Sequence, residues 1–363
     1  MSIRQALNEK ELDALMVSVQ ENRFYLSGFT GEDTQFDESA GVLIISDRQL
    51  VIATDSRYEL QARAEATGFD VVCYKKGLEK ELPEIAGTMG IRRLGFESVR
   101  LSQNNHASYT GALGKLNPKV ALVPTENMVE TLRQIKSEDE IRRTITALRL
   151  AEKAFSETID AIRPGMTEKQ VAWALEKAMR EAGAQELSFP VIVASGANSA
   201  LPHAVPTDRK LAHGEPILID WGARVDGYCS DTTRTVVMGQ PDDRFKKVYD
   251  TVVTARDMAI AAVKAGAGGT RVDKVARDHI HRNGFAGKFG HGLGHGTGLA
   301  VHENPRLSPI KDDRLEAGMI VTVEPGIYLP GWGGIRMENQ VVVRQTGAQV
   351  LNDPAPFDPM VRV

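Results

Sequence analysis

What most limits the fold of this chain is a repeat in its second half. Residues 137–344 read as two copies of a helix–helix–hairpin unit: Ser137 and Asp242 open the copies 105 residues apart, and Thr167 and Thr270 follow 103 residues apart. Ser137-Glu-Asp-Glu140 is a capping box, in which Ser and Glu side chains each satisfy a free N-terminal amide. Ile141, Ile145, Leu148, Ala151 and Phe155 then continue at helical spacing until Pro164-Gly165 ends the helix. Thr167-Glu-Lys-Gln170 is a second capping box, and its helix runs to about Gly183. Pro216–Asp220 and Tyr228–Met238 read as strands joined by the turn signal Val225-Asp226-Gly227. The same order returns as helices from Asp242 to Lys264 and from Thr270 to Arg282, then strands at Met319–Glu324 and Ile335–Arg344. Two such units are expected to face each other across a pseudo-twofold axis and to share one core.

The first third differs. Gly41–Ile45, Leu50–Ala53, Phe69–Tyr74 and Arg93–Phe96 read as strands, with helical spacing from Ser56 to Ala66 and from Leu78. That alternation predicts an α/β layer with a mainly parallel or mixed sheet. Pro124-Thr-Glu-Asn127 breaks the pattern, giving domains at 1–127 and 128–363. With 42% hydrophobic and 25% charged residues, the chain is neither collagen-like, coiled-coil nor disordered. Lys and Arg number 44 against 48 Asp and Glu, which argues against a nucleic-acid partner. Cys73 and Cys229 fit neither a disulfide framework nor a Cys-rich zinc site. No signal-peptide core follows Met1 and no run approaches the ~18 apolar residues of a membrane span, so a cytoplasmic protein is expected.

Each hairpin carries two acids, Asp220 and Asp231 in the first copy and Glu324 and Glu338 in the second. A pairing centred between Val225 and Asp226 sets Asp220 and Asp231 nearly opposite one another, and a pairing centred on Gly331 does the same for Glu324 and Glu338. Asp220 follows Ile217–Ile219 and Glu324 follows Ile320–Val323, stretches composed for burial. Four buried carboxylates repel one another and lose their hydration. No cluster of Lys or Arg accompanies them, so two divalent ions are the expected compensation. Gly290–Gly298 adds His291 and His295, and its five glycines favour extended chain or loop over helix. His302-Glu-Asn-Pro-Arg306 lacks the second histidine of a helical zinc motif, and no Gly-Lys-Ser/Thr phosphate loop occurs. Oxygen donors with one imidazole suit Mn²⁺ or Co²⁺ and leave Zn²⁺ open. Two such ions can share and acidify a water, which is hydrolase chemistry.

The segments Asp220–Thr235, Gly290–Glu303, Val323–Tyr328 and Gly334–Asn339 resemble the proline-specific metallopeptidases of the pita-bread fold, the Xaa-Pro aminopeptidases and Xaa-Pro dipeptidases (prolidases). Asn22–Thr30 and Thr54–Tyr58 resemble that family's creatinase-type N-terminal domain, and Leu132–Ser137 the passage into its catalytic domain. The resemblance implies an α/β N-terminal domain followed by an α+β pita-bread catalytic domain with an internal pseudo-twofold repeat. It implies cleavage of the Xaa-Pro bond of dipeptides or short peptides by a hydroxide bridging two divalent ions, Mn²⁺ foremost.

By the same resemblance Asp220 chelates one ion, Asp231 and Glu338 bridge, His295 and Glu324 hold the other, and Glu324 also shuttles a proton. His203 lies near the scissile carbonyl, His302 positions or polarises it, and His291 supports the site. Arg336 shares a strand face with Glu338, where it either pairs with a ligand carboxylate or relays protons and meets substrate. Arg306 matches an arginine that binds a dipeptide's C-terminal carboxylate. Asn339 departs from the family's usual Asp, and Trp332 is a candidate cap on the site wall. A homodimer is expected. A methionine-aminopeptidase-like activity is opposed by the N-terminal domain, a creatinase-like amidinohydrolase by the metal set, and an inactive peptide-binding relative by the intact ligands.

Overall fold

The computed structural model describes residues 2–33, 35, 38–352 and 357–361. These divide into two compact units, Met1–Arg133 and Gln134–Val363.

The first unit runs α1 (Ile3–Glu9), β1 (Ala14–Val17), α2 (Gln20–Ser27), β2 (Val42–Ser46), β3 (Leu50–Asp55), α3 (Glu59–Glu65), β4 (Asp70–Tyr74), α4 (Leu78–Thr88), β5 (Arg93–Glu97), α5 (Gln103–Leu113), β6 (Ala121–Thr125) and α6 (Glu130–Gln134). Its mixed sheet has the order β4-β3-β2-β1-β5-β6. Alternate side chains explain why both faces are covered. Ala14, Met16, Val42, Ile44, Val51 and Ala53 join a core with Leu82 and Ile85 of α4 and Leu113 of α5. Leu15, Val17, Leu43, Ile45 and Ile52, on the opposite face, pack with Leu7 of α1 and Ala62 of α3. Pro124, which opens the segment expected to end this domain, precedes the unit's last residue, Arg133. It lies within β6, an edge strand, where a missing N–H costs no ladder bond. After β1, fully buried Arg23 of α2 donates to both oxygens of Asp33, at 2.8 and 3.0 Å, and to the carbonyls of Ser18 and Gly31.

The second unit opens with α7 (Glu138–Ala161) and α8 (Glu168–Glu181), both with intact capping boxes. Then come β7 (Glu186–Leu187), β8 (Ile192–Ser195), a 3-10 turn (Gly196–Ala200), β9 (Pro216–Trp221), β10 (Ala223–Val225), β11 (Tyr228–Cys229) and β12 (Thr232–Met238). The second copy consists of α9 (Asp243–Ala262), α10 (Gly269–Ile280), β13 (Gly294–Gly296), β14 (Glu303–Leu307), β15 (Ile320–Val323), β16 (Gly326–Leu329), β17 (Gly333–Arg336) and β18 (Asn339–Val343), followed by β19 (Ala348–Val350) and β20 (Met360–Val361). Even isolated bridges recur, Thr167 with Lys210 and Gly268 with Arg314.

The halves do not share a single core. Residues of α7 and α8 pack on β8, β9 and β12, with Phe155 stacked on Trp221 at 4.1 Å and the Trp221 indole donating to the Ala151 carbonyl. Residues of α9 and α10 form a separate cluster with β15, β17 and β18. Each amphipathic helix pair therefore buries its apolar face against its own hairpin. Where the hairpins meet, β12 lies beside the β17–β18 segment: the Glu338 amide donates to the Thr233 carbonyl and the Arg336 amide to Thr235 Oγ1. The junction between repeats is thus lined by the strands that carry the acids. No helix among the described residues is long and apolar enough to cross a membrane.

Candidate active site

The first hairpin turns at Asp226 and Gly227, both with positive φ (49° and 81°), as a two-residue turn demands. This places the pairing centre one residue later than the sequence suggested. Asp220 faces Thr233 instead of Asp231, and Asp231 lies just beyond the paired residues, before β12. The second hairpin does centre on Gly331: β15–β18 and β16–β17 keep one register, with Gly326 opposite Arg336 and Val323 opposite Asn339. Glu324 and Glu338 occupy the breaks between those strands. His295 sits in β13, and its flanking glycines have a packing reason. A Cβ on Gly294 would lie 2.0 Å from the Thr322 carbonyl, and one on Gly296 2.2 Å from that of Asn304.

One oxygen from each of Asp220, Asp231 and Glu338 lies within 4.8 Å of the other two. His295 Nε2 is 3.3 Å from Glu324 Oε1 and 3.6 Å from Asp231 Oδ2. Protein groups hold only part of this set. Asp220 Oδ2 accepts from Arg336 Nη2 at 2.6 Å, Glu338 Oε2 from Thr233 Oγ1 at 2.7 Å, and Glu324 Oε1 from Thr322 Oγ1 at 3.2 Å. Asp220 Oδ1 and Glu338 Oε1 are buried with no hydrogen-bond partner. Such orphaned acceptors are costly.

Burial, then the charges of Glu338, Asp220 and Glu324, push the Asp231 carboxyl well above its ordinary range. Burial and the Glu324 and Asp220 charges do the same to Glu338. Asp220 is also raised, chiefly by burial, with Arg336 opposing. For Glu324 burial is outweighed by His295, first through its hydrogen bond, and by Arg336, which together hold it at about 2. His295 Nδ1 lies 3.1 Å from the Gly296 carbonyl, which turns Nε2 towards the Glu324 and Asp231 oxygens. Four carboxylates packed this way have too little positive charge beside them. The orphaned oxygens, the raised carboxyls and the oriented imidazole together fit divalent cations.

Arg336, 3% exposed, spends its donors inside the protein. Besides Asp220, it donates to Thr233 Oγ1 at 3.0 Å, the Tyr328 hydroxyl at 2.9 Å and the Pro202 carbonyl at 3.1 Å. The ion-pair reading of this residue therefore describes its geometry. Tyr328 was not anticipated from the sequence. Its hydroxyl lies 2.9 Å from His291 Nε2, while His291 Nδ1 lies 2.8 Å from the Gly292 carbonyl. Burial keeps His291 below its usual range, so the neutral ring donates through Nδ1 and accepts the tyrosine proton at Nε2. Thr233 and Thr322, which orient Glu338 and Glu324, were also missed. A strand threonine reads as β-propensity, and only its register reveals the carboxylate beside it.

Ten of the residues singled out in the sequence line one cavity of about 650 Å³: Asp220, Asp231, Glu324, Glu338, His203, His291, His295, His302, Arg306 and Arg336. Phe189, Pro190, Val191, Val205 and Ile310 add apolar wall. The His302 ring meets His295 edge-on at 4.4 Å, and desolvation, then His295 and Arg306, hold it at about 4, hence neutral at pH 7. The Arg306 guanidinium forms no hydrogen bond or ion pair among the described residues. Trp332 is no part of the wall. It packs on the second core, under Arg244 at 4.8 Å. Asn339 Oδ1 is buried without a partner.

Residues 142–345 match the family described as metallopeptidase family M24, and residues 1–135 match the creatinase/prolidase N-terminal domain. The chain is 32% identical over 349 residues to a Xaa-Pro dipeptidase of Pyrococcus horikoshii, covering 95% of this chain and 94% of that one. A solved Xaa-Pro dipeptidase from Bacillus anthracis superposes with a TM-score of 0.92 at 37% identity, over 99% of this chain and 98% of the other. An X-Pro aminopeptidase from Thermotoga maritima gives 0.88 at 37% identity, over 97% and 98%.

Proposed function

The chain belongs to metallopeptidase family M24, and from that premise we propose that it cleaves the Xaa-Pro bond of dipeptides at a centre of two divalent ions, Mn²⁺ foremost. The observation that carries this reading is the set of five converging donors, two of which present buried oxygens with no protein partner. Asp220, Asp231, Glu338, His295 and Glu324 are the residues that would hold the ions. When bound, the ions supply Lewis-acid polarisation of the carbonyl and a water acidified enough to attack at neutral pH.

The chain's own residues do the rest. Glu324 would accept the attacking water's proton and return it to the proline nitrogen as the C–N bond breaks. His203 and His302 orient the Xaa carbonyl from the cavity wall, and the neutral His302 ring can donate to the developing oxyanion. Arg336 holds Asp220 in place, and the Tyr328–His291 pair backs that contact. Arg306 gives a free guanidinium for the substrate's C-terminal carboxylate, which favours a dipeptide over a longer chain. The relatives named above include both a dipeptidase and an aminopeptidase, so substrate length is the property to test. Protein reconstituted with Mn²⁺ is to be assayed on Ala-Pro, Ala-Pro-Ala and Ala-Ala. Fastest release of proline from Ala-Pro is expected; equal rates on Ala-Ala would refute proline specificity.

A further inference from the structure

Glu168 does not line the cavity, yet it is fully buried in the first turn of α8 and gathers donors from both ends of one surface segment. Its Oε1 accepts from the Ser195 amide at 2.7 Å and the Ser195 hydroxyl at 2.9 Å. Its Oε2 accepts from the Thr207 amide at 2.9 Å and the Thr207 hydroxyl at 2.6 Å. Asn198 Nδ2 reaches both oxygens, at 3.1 and 3.2 Å. Among the described residues no cation touches the carboxylate. Arg209 instead donates to Ser195 Oγ at 3.2 Å and pairs with Glu215 at 2.6 Å. A buried carboxylate persists only where fixed donors replace its hydration. Burial raises this acid, but its hydrogen bonds outweigh burial and keep it below its usual range.

The segment so tied, residues 195–207, carries His203. Between its ends it is pinned to the metal-site strands. The Gly334 amide donates to Ser199 Oγ at 2.8 Å, and Arg336 Nη1 reaches the Pro202 carbonyl, one residue before His203. His203 itself is exposed and its ring makes no hydrogen bond among the described residues, so its position rests on its backbone. The other repeat has a matching device on the corresponding helix. Asp273 of α10 accepts from the Leu293 amide at 3.1 Å and pairs with Arg277, which donates to the carbonyls of Phe289 and His291.

We propose that Glu168 is a positioning residue, whose buried carboxylate ties both ends of the 195–207 segment and thereby sets where His203 stands at the mouth of the cavity. The proposal rests on the function above only in giving His203 a substrate contact.

The test uses full-length Glu168→Gln and the milder Thr207→Val, which removes one donor should the first fail to fold. Amide hydrogen exchange across 195–207 should rise about tenfold or more in Glu168→Gln while residues 171–181 of α8 stay protected. The kcat/KM for Ala-Pro should fall about 10- to 100-fold, the cost of an ångström-scale misplacement, with metal content unchanged. In a His203→Ala background the same change should cost less than about twofold, since the two residues act as one unit. Unaltered exchange in the segment, or a full loss of activity added to that of His203→Ala, overturns the proposal. A wild type inactive on every Xaa-Pro peptide would sink the functional reading alone, and the exchange result would then decide this one.

Discussion

Asp231→Asn tests whether the acids are held together against their own repulsion. The substitution keeps shape and removes one charge. Oxygens of Asp220, Asp231 and Glu338 lie within 4.8 Å of one another, and two ionised groups at that separation repel by about 3–4 kcal/mol at an effective dielectric of 20. Asp231 enters two of the three pairs, a ceiling of about 7 kcal/mol. Proton uptake and the Arg336 charge beside Asp220 relieve most of it, leaving about 1–3 kcal/mol as the expected gain for the metal-free variant. For a unit of this size that raises its melting temperature by roughly 2–12 °C.

The pH dependence has a definite sign. An acid whose folded pKa is raised adds stability below its unfolded pKa and loses it as pH rises through the folded value. The variant's advantage should therefore be large at pH 8 and vanish towards pH 4. With excess Mn²⁺ the order should reverse, because wild type gains binding energy that the variant, lacking the Asp231 carboxylate, does not. Calorimetry on chelator-treated protein with and without Mn²⁺ reads all three effects. A chelated variant that melts below chelated wild type, or that gains as much from Mn²⁺, would refute the reasoning.

Arg306→Ala should raise KM for Ala-Pro about tenfold or more while leaving Ala-Pro-amide, which lacks the carboxylate, within about twofold; steady-state kinetics on the pair checks this. Gly294→Ala forces a Cβ to within 2.0 Å of the Thr322 carbonyl, so β13 must shift and His295 with it. Metal affinity measured by titration should weaken about 10-fold or more with the circular-dichroism spectrum intact, and unchanged affinity would contradict the packing argument. In the first unit, burial opposes but Arg23 and Arg100 hold Asp33 below the ordinary carboxyl range. That stability is complete above the ordinary range and is lost as pH falls through the lowered value. Asp33→Asn should cost about 3–5 kcal/mol in denaturant melts by stranding a buried Arg23, and an unaltered midpoint would count against it.

The repeat and its acids were legible in the sequence because their composition contradicts itself. Carboxylates at the ends of Ile-rich strands, spaced alike in both copies, need a common cation, and that reasoning requires no coordinates. Register was less accessible. Which residues of Val225-Asp226-Gly227 take positive φ decides whether Asp220 faces Asp231 or Thr233, and the letters alone allow either. The short β1 was not read at all, although it is central in its sheet, because four apolar residues between two helices carry no distinguishing period. Tyr328 and Glu168 were hidden for another reason. Their partners are 37 and up to 39 residues away, and a first-turn acid such as Glu168 looks fully explained by its own helix.

The central claim is that a metal-filled carboxylate–histidine cluster cleaves the bond before proline. The most direct measurement is proline release from Ala-Pro by chelator-stripped protein titrated with Mn²⁺, with bound metal counted in parallel. Activity should be absent in the stripped protein and rise to a plateau at two ions per chain, and Asp231→Asn should not restore it at any Mn²⁺ concentration. Full turnover without metal, or none with two ions bound, would contradict the account.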